Sequence, residues 1–278
     1  MKVWKIAAFS NSGVGGNPAG VVVAKILPSA PVMQKIAADV GFSETVFAAR
    51  APNGESYRTR YFSPETEVPF CGHATIALGA VLGRMYGPKV YPLTLNNAEI
   101  SVESWVEEDT MQVALQSPST HSKKLDEQSV SDLLTLFSLA PSDLDERLSP
   151  ARIHGGSDHL FLAVNDRRTL TRLSYDLQRG KAFMHTQKVA TIMLVYARDD
   201  QSFDVRNAFA SAGVFEDPAT GAAASAFSGY LRDIGWPHQG QIHITQGEDM
   251  GMKSLITAQI PSEKGTSIRI SGSAREMG

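Results

Sequence analysis

Two short stretches of the chain set reactive side chains at one shared spacing around a glycine: EVPFCGHAT at residues 67–75 and EDPATGAAA at residues 216–224. Both read E-x-P-x-[C/T]-G, and between them they carry Cys71, His73, Asp217 and Thr220. A thiol, an imidazole and a carboxylate are the side chains of nucleophilic and general acid/base chemistry. A glycine at the start of a helix lets backbone approach a ligand closely, and the first turn offers N–H groups without intrahelical partners at the positive end of the helix dipole. Gly72 and Gly221 therefore mark candidate anion-binding helix starts. A further carboxylate, Glu44 in FSETVF, stands at the start of an apolar run. If partly desolvated, it could move a proton between two carbons on one face of a ligand. Each residue also has an ordinary structural explanation. The glycines make tight turns, Glu44 ends a strand in solvent, His73 caps or packs against a helix, and Asp217 precedes a turn proline.

The elements that must position these groups follow from patterning. Runs such as VWKIAAF, AGVVVA, ETVFAA, ISVESWV, MQVALQ, HLFLAV, TIMLVYA, QIHIT, LITAQI and SIRIS predict strands. Met33, Ile36, Ala37 and Val40, and likewise Val130, Leu133, Leu134 and Phe137, recur at helical spacing and predict two amphipathic surface helices. The segments after Gly72 and Gly221 differ, because Ala74, Ile76, Ala77, Leu78, Ala80, Val81 and Leu82 leave almost no polar face. Such a helix is buried on every side. Glu67, Pro69, Gly72, Ala74, Ala77 and Leu82 match Glu216, Pro218, Gly221, Ala223, Ala226 and Leu231 at one constant offset, an internal repeat. The expectation is two related domains, each threaded by a buried helix, residues 1–117 and 118–278, with the last strand able to return to the first domain. The polar SPSTHSKKLDEQ segment near 117–128 is expected to link them. Pseudo-twofold symmetry would aim both helix starts into one cleft suited to a small carboxylic acid.

Composition narrows the function classes. At 278 residues with 42% apolar and 20% charged residues and a net charge of -3, the chain has no basic face for nucleic acid or an anionic membrane. One cysteine excludes an intrachain disulfide and a thiolate metal cluster within one chain, and fits a reducing, cytoplasmic setting. The N-terminus reads as a first strand rather than a signal peptide, and no apolar run approaches the ~20 residues that span a bilayer.

With GNPAG at 16–20, FSETVF at 42–47, PFCGHAT at 69–75 and EDPATG at 216–221, the sequence resembles the PhzF-like phenazine-biosynthesis isomerase family, a branch of the diaminopimelate epimerase-like fold. The resemblance implies an α+β protein of two pseudo-symmetric domains. Each has a barrel-like mixed sheet wrapped around a central helix, and chains of the family pair as homodimers and work without metal or organic cofactor. It implies that Glu44 shuttles the proton, that His73 and Asp217 share the site, and that backbone amides at Gly72, His73, Gly221 and Ala222 hold a substrate carboxylate. Asn17 of GNPAG is a secondary candidate. Three positions depart from the family pattern: Ala222 where some members have serine, Met252-Lys253 in place of Arg-Pro, and Ala7 where aspartate is usual.

Cys71 falls where two-thiol racemases of the wider fold carry one catalytic cysteine, and its repeat partner is Thr220. Threonine does not readily act as the second base, which favours a small buried role for Cys71. The expected function is thus a cofactor-independent isomerase or epimerase acting on a small, cyclic or unsaturated carboxylic acid. A one-thiol amino-acid or imino-acid epimerase or dehydratase using Cys71 stays open, as does an inactive carboxylate-binding protein. SNSGVGGNPAG lacks the ending of a phosphate loop, and HGGSDH at 154–159 is read as a turn before a strand rather than a hydrolase or metal motif.

Overall fold

Each predicted run lies on a strand of the computed structural model, with VWKIAAF, LITAQI and SIRIS overrunning the strand by one or two residues; the structure describes residues 1–52 and 54–278. Backbone contacts divide it into two units, residues 1–116 with 271–278 and residues 117–270. Each is taken on its own.

In the first unit the chain runs β1 (Trp4–Ser10), β2 (Asn17–Ala24), α1 (Ala30–Val40), β3 (Glu44–Arg50), β4 (Tyr57–Phe62), β5 (Glu67–Val68), α2 (Gly72–Tyr86), β6 (Val90–Thr94), β7 (Glu99–Glu107) and β8 (Thr110–Gln116). The C-terminal strand Arg269–Glu276 lies beside β8 and pairs antiparallel with β1, Ala8 opposite Ala274. That pairing closes the order β1-β2-β3-β4-β6-β7-β8-C-terminal strand into an eight-stranded barrel, which leaves no open edge along that path. Inside runs α2, buried from His73 through Gly83 against β1, β2, β3, β7 and β8. Its small and aliphatic residues fit this setting, since a helix enclosed by strands has no use for a polar stripe. Outside the barrel, α1 lays Met33 and Ala37 on Val22, Phe47 and Phe62.

The second unit contains β9 (His121–Lys124), α3 (Glu127–Phe137), β10 (Ala151–His154), β11 (Asp158–Val164), α4 (Arg167–Arg172), α5 (Leu177–Gln187), β12 (Thr191–Ala197), β13 (Ser202–Ala208), α6 (Gly221–Asp233), β14 (Gln241–Gln246) and β15 (Ser254–Gln259). Its strands are ordered β15-β14-β13-β12-β11-β10-β9, mixing parallel pairs (β11 with β12, β13 with β14) with antiparallel ones. Helix α6 is buried like α2 and lies on β9, β10, β11 and β15. Phe227 and Tyr230 on it pack their rings, tilted, against Phe161 of β11 at centroid distances of 5.1 and 5.0 Å. Helices α3, α4 and α5 cover the other face through Leu133, Phe137, Leu170 and Met184. The architecture is the expected α+β one, a mixed barrel-like sheet around a central helix.

One expectation fails here. The polar segment 117–128 is no linker: residues 121–124 form β9, paired with β10 in the register His154 opposite His121, and Asp126 caps α3 by accepting from the Ser129 N–H. HSKK carries no apolar side chain, yet a strand at the end of a sheet needs only its backbone groups to pair. Among the described residues no helix is long and apolar enough to cross a membrane.

Candidate active site

In the first unit the site is assembled by a helix stop, a strand start and a helix start. Gly41 takes the left-handed conformation, φ 71°, and its N–H returns to Ala37 O at 3.1 Å, ending α1. Three residues later Glu44 opens β3, which runs parallel to β2 with Ala19 opposite Glu44. Glu44 is thereby held at the end of the barrel wall rather than on a free loop. Its side chain is only 14% exposed, and Oε2 lies 3.4 Å from Nε2 of His73, the second residue of α2. Ser43 Oγ lies 3.4 Å from the same nitrogen. Asn17, at the start of β2, is buried.

Cys71 precedes α2 in an extended conformation and does not cap it. Its Sγ stands 3.3 Å from His73 Nδ1. The residue is partly exposed rather than the small buried filler expected from sequence, and its Sγ lies against His73. Beneath it, Thr75 Oγ1 donates to Cys71 O at 2.7 Å and meets the Tyr61 hydroxyl at 2.7 Å. Burial pushes the Tyr61 hydroxyl well above the usual phenol range, so it remains a neutral strut.

The corresponding turn of the second unit is built differently. Thr220 occupies the cap position of α6, but its hydroxyl donates to Asp217 Oδ2 at 2.5 Å and leaves the helix uncapped by a side chain. Gln246, at the end of β14, completes the arrangement: Nε2 donates to Asp217 O at 2.6 Å and to Thr220 Oγ1 at 3.0 Å, while Oε1 accepts from the Thr220 N–H at 3.2 Å. Gly221 is buried, and Ala222 is partly exposed with no hydroxyl to offer. Both α2 and α6 therefore begin without a side-chain cap, the condition under which first-turn N–H groups can serve a ligand.

The repeated glutamates have a role the sequence reading did not assign. Arg60 of β4 grips Glu67 through two hydrogen bonds, Nε to Oε1 at 2.7 Å and Nη2 to Oε2 at 2.5 Å, and Asn96 adds a third at 2.7 Å. Arg60's hydrogen bond holds the Glu67 carboxyl below its ordinary range. In the second unit Arg206 of β13 pairs with Glu216 and also donates to the carbonyls of Leu170, Thr171 and Leu173. Each E-x-P-x-x-G turn is thus tied to a neighbouring strand by an arginine, through a two-point fork at Arg60 and a single contact at Arg206. Ser43, Gln246, Arg60 and Arg206 all escaped the sequence reading. An arginine on the strand before each repeated glutamate was the available signal. The structure brings Glu44, His73 and Cys71 together in one unit and Asp217, Thr220, Gly221 and Ala222 together in the other.

The family profile described as "Phenazine biosynthesis-like protein", PhzC-PhzF, matches residues 6–277. The trans-2,3-dihydro-3-hydroxyanthranilate isomerase of Pseudomonas fluorescens is 28% identical over 98% of this chain and 96% of its own length. The crystal structure of the Bacillus anthracis phenazine biosynthesis protein of the PhzF family superposes with a TM-score of 0.87 at 23% identity, covering 100% of this chain and 98% of that one. A probable proline racemase from Agrobacterium radiobacter shares the fold at a TM-score of 0.65 and 10% identity, covering 99% and 91%.

Proposed function

Since the chain belongs to the PhzC-PhzF, phenazine biosynthesis-like family and is an isomerase of it, we propose that it shifts a proton within a small cyclic or unsaturated carboxylic acid, with Glu44 as the group that carries the proton. One observation supports this reading above the others. Glu44, a residue type mostly found in water, is held largely buried against His73 beside the start of α2. A carboxylate kept from water and within reach of a ligand can act first as base and then as acid. It breaks a C–H bond at one carbon, the double bond moves along the ligand, and it forms a C–H bond at a second carbon. Glu44 ends as it began, so no co-reactant is consumed.

In this reading His73 orients the Glu44 carboxyl and lends it a hydrogen bond when that carboxyl is ionised. The N–H groups of Gly72 and His73 anchor the substrate carboxylate, while Gly221 and Ala222 offer the same kind of amides at the helix start of the second unit, where Asp217 is a further acid/base group. Anchoring of this kind converts an encounter into an oriented, effectively unimolecular step. The missing hydroxyl at Ala222 removes one donor from that helix start. We further propose that the protein works as a homodimer in the cytoplasm and needs no organic cofactor.

The first compound to try is trans-2,3-dihydro-3-hydroxyanthranilate, followed by other cyclic unsaturated amino and hydroxy acids, in D2O with NMR detection. Deuterium entering the turned-over product at the carbon that gains a proton supports the proposal. Binding of these acids without any C–H exchange would leave only a carboxylate-binding protein.

A second reading has its own observation, the 3.3 Å approach of Cys71 Sγ to His73 Nδ1, which could activate a thiolate for epimerase or dehydratase chemistry. Alkylation of Cys71 separates the two. A loss of exchange in alkylated protein that Cys71→Ala reproduces selects the thiol route, whereas an active Cys71→Ala variant removes it.

A further inference from the structure

Cys71, His73 and Glu44 each offer one ligand atom, and those atoms lie within 4.8 Å of one another. We propose that the three residues bind a zinc-class divalent cation, and that its occupancy withdraws Glu44 from proton transfer. The ligand set combines a soft thiolate, an imidazole and a carboxylate, the three donors that zinc takes in proteins. Geometry carries the argument further than composition. With Zn–N and Zn–O of about 2.0–2.2 Å and Zn–S of about 2.3 Å, tetrahedral angles separate N and O ligands by about 3.4 Å and N and S ligands by about 3.6 Å. The protein places His73 Nε2 at 3.4 Å from Glu44 Oε2 and 3.9 Å from Cys71 Sγ. Rotation of the Cys71 side chain, whose Sγ now stands nearer Nδ1 at 3.3 Å, would complete three corners of a tetrahedron, the fourth being left to water or a substrate oxygen.

The ligands are also well supported. Glu44 begins a strand of the barrel wall, His73 sits in the first turn of a buried helix, and Cys71 is bound through its carbonyl by Thr75. Binding releases the thiol proton to bulk water and makes the metal–sulfur bond; nothing is oxidised or reduced. A second cluster, His121, His154 and Asp158 in the other unit, lacks this spacing. His154 Nδ1 and Asp158 Oδ1 stand 2.6 Å apart, a direct hydrogen bond and too close for two ligands of one tetrahedral ion, and the two imidazoles are stacked with centroids 4.5 Å apart.

The effect on turnover rests on the isomerase reading; the binding site does not, and the experiment keeps them apart. Cobalt(II) is titrated as the optical probe into the full chain, wild type, Cys71→Ala, His73→Ala and His154→Ala, each checked for folding by circular dichroism. The expected result is a sulfur-to-cobalt charge-transfer band saturating at one equivalent in wild type and His154→Ala. The band vanishes in Cys71→Ala, and affinity in His73→Ala falls by at least the roughly 10–100-fold that loss of even an outer partner costs. Zinc then displaces cobalt and stops isotope exchange at the same stoichiometry, reversed by a chelator. Absence of the band, or cobalt binding that His154→Ala abolishes and Cys71→Ala leaves intact, overturns the site. A normal band in a metal-free protein that exchanges no C–H contradicts the isomerase reading and leaves the site standing.

Discussion

At the scale of single residues the account turns on how far Glu44 is protected from water and what stands beside it. Its neighbour His73 is 6% exposed, and the pair is separated by 3.4 Å. Replacing His73 with Asn, which can still donate a hydrogen bond but cannot take up a charge, is expected to lower turnover by about 10–100-fold while leaving ligand affinity within a factor of about three. Steady-state kinetics against a thermal-shift titration separates the two effects. Asp217→Asn removes the charge but keeps an amide oxygen that can still accept from the Thr220 hydroxyl. The expected outcome is a folded protein with unchanged Tm and reduced turnover, read by calorimetry and by the same exchange assay. Cys71 shows how a residue can be legible in type and misread in setting. Sequence marked it by its position before Gly72, but its approach to His73 depends on the extended backbone at 71, which no spacing rule encodes.

At the scale of elements, what was legible was what is one-sided or all-apolar. Helices α1 and α3 followed from stripes at helical spacing, and α2 and α6 from the absence of any polar face. Strands β4 and β13 stayed hidden because YRTRYF and SFDVRNA carry arginines and an aspartate whose pairing, with Glu67, Glu216 and Arg167, exists only in the folded chain. The same arginines carry a prediction. Arg206→Met leaves Glu216, only 13% exposed, without its arginine partner and takes one donor from each of three carbonyls. Breaking a buried pair on one side costs about 3–5 kcal/mol, which urea denaturation would measure. Arg206→Met with Glu216→Gln is expected to recover part of the loss. Gly247 is the other fragile point. It sits at φ 73°, and a Cβ there would meet Met252 O at 2.6 Å and Pro218 O at 2.7 Å. Gly247→Ala is expected to cost about 2 kcal/mol or more, through strain at a positive φ and displacement of Gln246 from Asp217 and Thr220.

At the scale of the whole molecule, each unit encloses one apolar helix in a sheet, and stability depends on keeping that interior uncharged. His159 of β11 is fully buried, with Nδ1 on Thr191 Oγ1 at 2.6 Å, and burial pushes its pKa down from 6.5 to about 3. The folded chain therefore holds it neutral where the unfolded chain takes up a proton. Its contribution is present in full above pH ~6.5 and is lost as pH falls toward 3, with a slope of up to about 1.4 kcal/mol per pH unit. Denaturation midpoints between pH 7 and 4 should fall less steeply in His159→Gln than in wild type, as that variant has nothing to protonate. The central claim, that Glu44 carries the proton, is tested most directly by solvent deuterium exchange into a turned-over substrate, wild type against Glu44→Gln, with ligand affinity measured on the same samples. The account predicts exchange reduced by a factor of about 100 to 10,000 in Glu44→Gln with affinity nearly unchanged; exchange at the wild-type rate in that variant would contradict it.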